Sequence, residues 1–452
     1  MAQPNDALDA LLTESRMSWA GLVRRINDLG ATEGLALRYD YTAVNRWVKR
    51  GERPRQPVPA LIARALSERL GRRVSPSEFG MLDTDALATR GLDYADSPTD
   101  AVTTIVDLGK ADTKPSRVFI APFMASAFGT PSRDWLLATL DETFSERGAR
   151  EVGMRQVAGI REMFAVFQEM DVMRGGGHGR TALVEYMRSY VFPLLKKEHA
   201  SEVRAALFQA AAEQAYLVGW MAYDDGEHGL AQRYLIQALR LAQESGDSAL
   251  GAHVLAGMSD QANLLGYPRE AASLARAGRR GLDLSRSKAC GADLLILESR
   301  ALAAQGDNKA AVKAVSKAEA LFEQVEPSNE PEWARFIDKA YLYGEAANSF
   351  RDLGHMNETE RFAQASIADA TTQGRARRAA LSHAAIAVNH VHRGEVEAAA
   401  NQACTVVELA AEVNSSRCLD AVRDLLIKLA PHRQIPDVKR FAHEALSLGL
   451  SA

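Results

Sequence analysis

The sequence predicts an all-α chain: a small bundle of short helices, then a long array of repeated helix pairs. Apolar residues recur at i, i+3 and i+4 through residues 5–81 and again from residue 132 onward. Glycines with polar neighbours recur at Gly226, Gly266, Gly306, Gly354 and Gly394, at steps of 40, 40, 48 and 40 residues. Helical pattern lies on both sides of each, which is the mark of an α-solenoid. The single stretch with strand character, VFIAPF at residues 118–123, is short enough to be a buried extended tether instead.

The first helix, residues 5–15, places Leu8, Leu11 and Leu12 at helical spacing. Ser18 then caps a second helix, SWAGLVRRINDLG, whose Trp19, Leu22, Val23 and Ile26 share a face. The third, within RYDYTAVNRWVKRGERPR (residues 38–55), is the basic one. Asp40 or Thr42 caps its start, Val44, Trp47 and Val48 form its buried face, and Gly51 and Pro54 end it. A fourth helix, VPALIARALSERLG, buries Leu61, Ile62, Ala65, Leu66 and Leu70, and a last turn follows at residues 75–81.

Charge is unevenly placed. The chain of 452 residues has a net charge of −4. Residues 1–81 hold thirteen Lys/Arg against nine Asp/Glu, about +4, so the rest carries about −8. Residues 38–73 alone hold ten Lys/Arg against three acids, the density that contact with nucleic-acid phosphates requires. The competing reading is a solvated basic helix in an ordinary bundle. Nothing in the sequence approaches a membrane span, and the N-terminus enters a helix directly, so a cytoplasmic protein is expected. Cys290, Cys404 and Cys418 form no CxxC motif and have no nearby paired His, and no metal or cofactor is expected.

The head resembles a known family. MSWAGLVRRIN followed by VNRWVKRGERPRQPVPALIARAL is similar to the Cro/cI-type helix-turn-helix of bacterial and phage regulators. It departs from that pattern in the long segment 30–39 between the two helices and in a glycine one residue late after the third. The resemblance implies that residues 41–50 form a recognition helix in the major groove, with Tyr41, Thr42, Asn45 and Arg46 toward base edges. It places Ser18, Arg38, Lys49, Arg50, Arg53 and Arg55 against phosphates.

Between head and repeats, residues 82–131 mix Pro, Thr, Asp and Gly and read as a partly ordered linker, with a helix possible over 99–108. Residues 132–200 read as bridging helices: one capped by Ser132, one over 151–173, and one over 181–197. RGGGHGR (residues 174–180) separates the last two; with no strand before it and no GK[ST] after it, it is not a phosphate loop.

Residues 201–452 form the repeat domain. Seven positions before the periodic glycines stand Gly219, Ser259, Ser299, Ala347 and Ala387, and five after stand Ala231, Ala271, Ala311, Thr359 and Ala399. Twelve after stand Ala238, Gly278, Ala318, Ser366 and Val406. Small residues in these places match the helix A/helix B contacts of tetratricopeptide repeats, so a right-handed tetratricopeptide-repeat-like α-solenoid is expected. The 48-residue step holds an extra polar loop, EPSNEPEW. The same register points Trp220, Asp260, Arg300 and Asn348 into an inner groove, with Tyr223, Asn263 and Arg351 one turn on. His392 and Tyr341 complete this candidate ligand groove, which suits an extended peptide or small molecule. A solvated groove, or one occupied by the chain itself, is the competing reading.

With GWMAYDDGEHGLAQRYLIQALRLA (residues 219–242) and PEWARFIDKA (residues 331–340), the whole chain resembles the actinobacterial helix-turn-helix/tetratricopeptide regulators of differentiation and antibiotic production. Its architecture is also similar to that of peptide-sensing Gram-positive regulators. The resemblance implies a homodimer on a palindromic double-stranded operator, a regulator with repression preferred over activation, and a signal sensed in the groove. The alternative is a protein-interaction scaffold whose head binds DNA without sequence preference. No enzyme is expected: no nucleophile–base pair stands at motif spacing, and His383, His390 and His392 merely share a helix.

Overall fold

Asn5 shows how the first helices are placed. Its side chain accepts from the Leu8 N–H at 3.0 Å and donates to the Phe79 carbonyl at 2.8 Å, while its own N–H donates to Val48 O at 2.7 Å. One cap residue thus ties the start of a helix to two later segments. The structure, a computed structural model, describes residues 4–32, 37–54, 58–70, 74, 76–81, 84–112, 121–140, 152–176 and 179–450. Every regular element among the described residues is helical.

The chain divides into two compact units, one of Met1–Arg90 with Thr103–Val118 and one of Gly91–Val102 with Phe119–Ala452. In the first, α1 (Asp6–Glu14), α2 (Trp19–Thr32), α3 (Tyr41–Lys49) and α4 (Val58–Leu70) enclose Leu8, Leu22, Ile26, Val44, Trp47 and Leu66. A 3-10 turn at Pro76–Phe79 seals that core with Phe79, and α5 (Thr84–Arg90) follows. Tyr39, just before α3, is fixed by Asn27, whose side chain both accepts from the Tyr39 N–H at 3.1 Å and donates to its carbonyl at 3.0 Å. The helix expected over 99–108 is α6 (Pro98–Asp112). Its Asp107 is buried and bound by Arg90 at 2.6 Å.

In the second unit, α7 (Gly129–Leu140) begins before Ser132, which bonds back to Gly129 O rather than capping the helix. Next come α8 (Met154–Arg174), α9 (Arg180–Tyr186), a π-helical turn at Met187–Val191 and α10 (Phe192–Leu195). Ten helices then pack as consecutive pairs: α11 (Ser201–Asp224) with α12 (His228–Ser245), and α13 (Ser248–Leu264) with α14 (Pro268–Gly281). They continue as α15 (Lys288–Ala304) with α16 (Asn308–Phe322), and α17 (Lys339–Asp352) with α18 (Met356–Thr372). The last full pair is α19 (Ala376–Arg393) with α20 (Val396–Ala411). The end of the array is α21 (Ser416–Leu429) and α22 (Pro436–Ala445). The first helix of each pair also packs on the first helix of the next.

The five periodic glycines all adopt positive φ, from 75° to 82°, in the turn between paired helices. That conformation suits only a residue without a Cβ. In two of the pairs the small positions seven before and five after those glycines meet. Ser259 donates to Ala271 O at 2.8 Å, and Ser299 donates to Ala311 O at 2.9 Å, forty residues later. The two β-branched exceptions are also fully buried: Thr359 bonds back to His355 O, and Val406 packs into the last core.

Two segments from the predicted linker lie in the second unit as extended straps on α12. Gln237 donates to the carbonyls of Gly91 and Asp93, and Arg240 donates to that of Ala95. Gln232 pairs with both backbone groups of Met124, donating to its carbonyl at 2.7 Å and accepting its N–H at 2.9 Å. The described part of VFIAPF, residues 121–123, is an extended tether and not a strand, but it is not buried as expected: Ala121 and Phe123 are half-buried and Pro122 is exposed; residues 118–120 lie outside the described residues. Burying α12 all round requires partners for its polar side chains, and strap carbonyls provide them.

Candidate nucleic-acid interface and an arginine-lined cleft

In the first unit α3 has two chemically distinct faces. Ala43, Val44, Trp47 and Val48 are buried, with Trp47 edge-on to Tyr39 at 5.2 Å. The other face carries Tyr41, Thr42 and Arg46 in solvent and Asn45 half-buried. Asp40, not Thr42, is the cap: its carboxylate accepts from the Ala43 N–H at 3.2 Å and from the Thr42 hydroxyl at 2.6 Å. Those hydrogen bonds, the Thr42 one foremost, hold the Asp40 carboxyl below its usual range.

Tyr41 leans on Trp19 of α2 with ring centres 5.2 Å apart, and Lys49 lies over the same indole while pairing with Asp9 at 3.0 Å. Arg46 stands 3.8 Å from Glu52, both exposed. Ser18 caps α2 by accepting the Gly21 N–H at 3.1 Å. Arg38, Arg50 and Arg53 are exposed. Arg55 lies outside the described residues. The arrangement can present one base-reading helix face flanked by guanidiniums.

The second unit holds a different site. α8 packs against α11 and α19, and the end of the extra loop within the long repeat step turns inward, so that Trp333 is buried and stacks on His253 at 4.7 Å. Residues 326–329 of the expected polar loop are exposed, while Trp333 at its end turns inward and, with Phe336 beyond it, forms an aromatic plug. His253 is held neutral by burial, its nitrogen pKa pushed down to about 3, and neither ring nitrogen has a partner.

Beside this plug lies a partly open cleft that encloses about 40 Å³. Tyr216, Trp220, Phe336 and Tyr341 form its aromatic walls, and Arg375, Arg377, Arg378 and Arg417 border it. The guanidiniums are locked by carboxylates. Arg377 donates to Asp224 at 2.7 Å and to Asp171 at 3.0 Å. Arg417 donates to Asp224 at 2.7 Å and lies over the rings of Trp220 and Tyr223. Arg378 donates to Glu345 at 2.8 Å, Arg300 bridges Asp260 and Glu345 at 2.7 and 2.8 Å, and Arg375 pairs with Asp338.

Burial opposes charge on Asp171, Asp224, Asp260 and Glu345, and the balance with their arginines decides the outcome. Burial works to raise Asp224, but the two guanidiniums hold it far below the carboxylate range. Glu345, under the same opposition with Arg300 and Arg378 winning, is held at about 2. Asp171 and Asp260 are raised, burial outweighing their arginines. Asp293, which accepts from the Tyr341 hydroxyl at 2.9 Å, is pushed up to about 8 by burial.

A family model described as the SP15 N-terminal domain matches residues 8–82. No curated protein matches the chain. The matched stretch begins within α1 and ends after the 3-10 turn, so it contains every described head residue named above as a candidate base or phosphate contact and no residue of the cleft.

Of the predicted groove residues, Trp220 and Tyr341 line the cleft, and Tyr223, Asp260 and Arg300 join the ion network behind it. Asn348 and Arg351 bond to each other at 2.9 Å outside the cleft, Asn263 is half-buried, and His392 is exposed. Sequence reasoning missed Asp171 and the four bordering arginines. The available signal was the run GRARRAA at the start of a helix with apolar pattern: arginines on a buried face require buried partners. No helix among the described residues is long and apolar enough to cross a membrane.

Proposed function

We propose that the chain is a sequence-specific DNA-binding regulator of transcription, with a helix-turn-helix head and a tetratricopeptide-like array that dimerises and senses a ligand. The observation that carries this reading is the solvent-facing row Tyr41, Thr42 and Arg46 on a helix whose opposite face is locked by Val44 and Trp47. A short helix held this rigidly presents its outer side chains at fixed spacing, as base readout requires. The paired helices with their five left-handed glycine turns support the array half of the reading. Two heads in a dimer would read half-sites about 34 Å apart, and repression by operator occupancy is the simplest outcome.

The test is in vitro selection of bound DNA from a random pool at near-physiological salt with the full-length protein. A two-fold symmetric motif is expected. Enrichment of no motif, with salt-sensitive general binding alone, would replace this reading by the scaffold one, in which the array recruits a partner protein.

A further inference from the structure

We propose that the arginine-lined cleft binds a small aromatic carboxylic acid that also carries one hydrogen-bond donor. This deepens the sensing role assigned above to the helix array and rests on that reading for its regulatory meaning.

The acid function follows from the guanidiniums. Arg375, Arg377, Arg378 and Arg417 border the cleft with side chains no more than 10% exposed, so their geometry is set by the fold. Three of them spend one nitrogen on hydrogen bonding to a carboxylate: Arg378 its Nη1 on Glu345, Arg417 its Nε on Asp224, and Arg375 its Nη1 on Asp338. Their other nitrogens make no further hydrogen bond among the described residues, and none of them is a sealed, solvent-free orphan. They therefore keep donors available at the cleft, in the planar fork that matches a carboxylate.

The aromatic body follows from the walls. Trp220 and Tyr216 stack nearly parallel, 17° apart, and Phe336 meets Tyr341 edge-on at 5.3 Å. A flat ring gains most from such faces.

The donor follows from Asp171. It borders the cleft, is 2% exposed, and its Oδ1 is buried with no hydrogen-bond partner while Oδ2 holds Arg377. A buried acceptor of this kind costs free energy until an N–H or O–H reaches it.

The test is calorimetric titration of the full-length protein, without DNA, with indole-3-acetate and 4-hydroxyphenylacetate and with the matching primary amides. Both acids are expected to bind at one shared site, competing with each other, each at least about tenfold more tightly than its amide, the loss expected when a charge-assisted hydrogen bond becomes a neutral one. Leu381→Trp, which fills the cleft and replaces no charged group, is expected to abolish binding while the circular dichroism spectrum stays that of the wild type. Equal affinity for acid and amide overturns the proposal, as does undiminished binding by a folded Leu381→Trp variant. So does the absence of binding by either acid at millimolar concentration. Should Leu381→Trp fail to fold, the acid–amide contrast and the competition on the wild-type protein decide alone. Because DNA is absent, failure here leaves the operator reading standing, and a failed selection experiment leaves this proposal standing.

Discussion

Asp224, the last residue of α11, receives Arg377 of α19 at 2.7 Å although 153 residues separate them in the chain. The same carboxylate accepts Arg417 at 2.7 Å, the Ser415 hydroxyl at 2.9 Å and the Gly176 N–H at 3.2 Å. It is the point where α11, α19, α21 and the turn after α8 are joined.

Replacing Asp224 with Asn should therefore be costly. It removes the charge that holds two buried guanidiniums and leaves them partly uncompensated. Breaking a buried pair in this way costs about 3–5 kcal/mol, read as a lower urea midpoint with an unchanged slope. A loss well under 1 kcal/mol would mean that Arg377 and Arg417 find other partners.

The pH dependence around Asp293 has the opposite sign from that of Glu345. Glu345 is depressed to about 2, so its stabilising contribution is present at neutral pH and is lost only as pH falls through that value. Asp293 is raised to about 8, so the folded state holds a proton that the unfolded chain has already released. Its contribution falls as pH rises from about 4 to about 8. Asp293→Asn keeps an acceptor for the Tyr341 hydroxyl and removes this titration. The variant should lose less stability than the wild type between pH 5 and pH 9, measured by urea unfolding at the two values.

Gly229→Ala should release the strap on α12. A Cβ at Gly229 would stand 1.7 Å from the Ala121 carbonyl oxygen, which is backbone and cannot swing aside. Overpacking of this kind costs about 1–3 kcal/mol, and limited proteolysis should cut near residues 121–124 sooner than in the wild type. An unchanged cleavage pattern would show that the strap is not what Gly229 accommodates.

In the head, Arg46→Ala and Arg53→Ala should differ. Arg46 lies on the exposed face of α3, Arg53 beyond its C-terminus. Loss of a base contact costs about 1–3 kcal/mol and relaxes the preference at one position. Loss of a phosphate contact weakens all sequences alike and lowers the salt slope by about 1. Selected-site titrations at several salt concentrations distinguish the two, and a uniform effect from both would remove Arg46 from the base-reading face.

Much of the fold was legible because its determinants are local. Three- and four-residue spacing marked α3, α8 and the paired helices, and Gly226, Gly266, Gly306, Gly354 and Gly394 marked turns that need positive φ. Ser259 and Ser299 were placed at close helix crossings from their register alone. The candidate site was legible only in part. Trp220 and Tyr341 were found because they share that register, whereas Asp171 precedes the repeats and Arg375, Arg377, Arg378 and Arg417 sit near helix starts, outside the positions the register examines.

The sequence by itself determined most of the helices and the period of their turns, since each depends on residues within a few positions of one another. Tertiary structure alone decided that α8 lies against α11 and α19, that Trp333 turns inward onto His253, and that α12 takes straps from residues 91–95 and 121–124. Those choices rest on burying polar groups only where a partner is within hydrogen-bond reach. For Asp171 and Arg377 that partner is 206 residues away, a distance that no local spacing encodes.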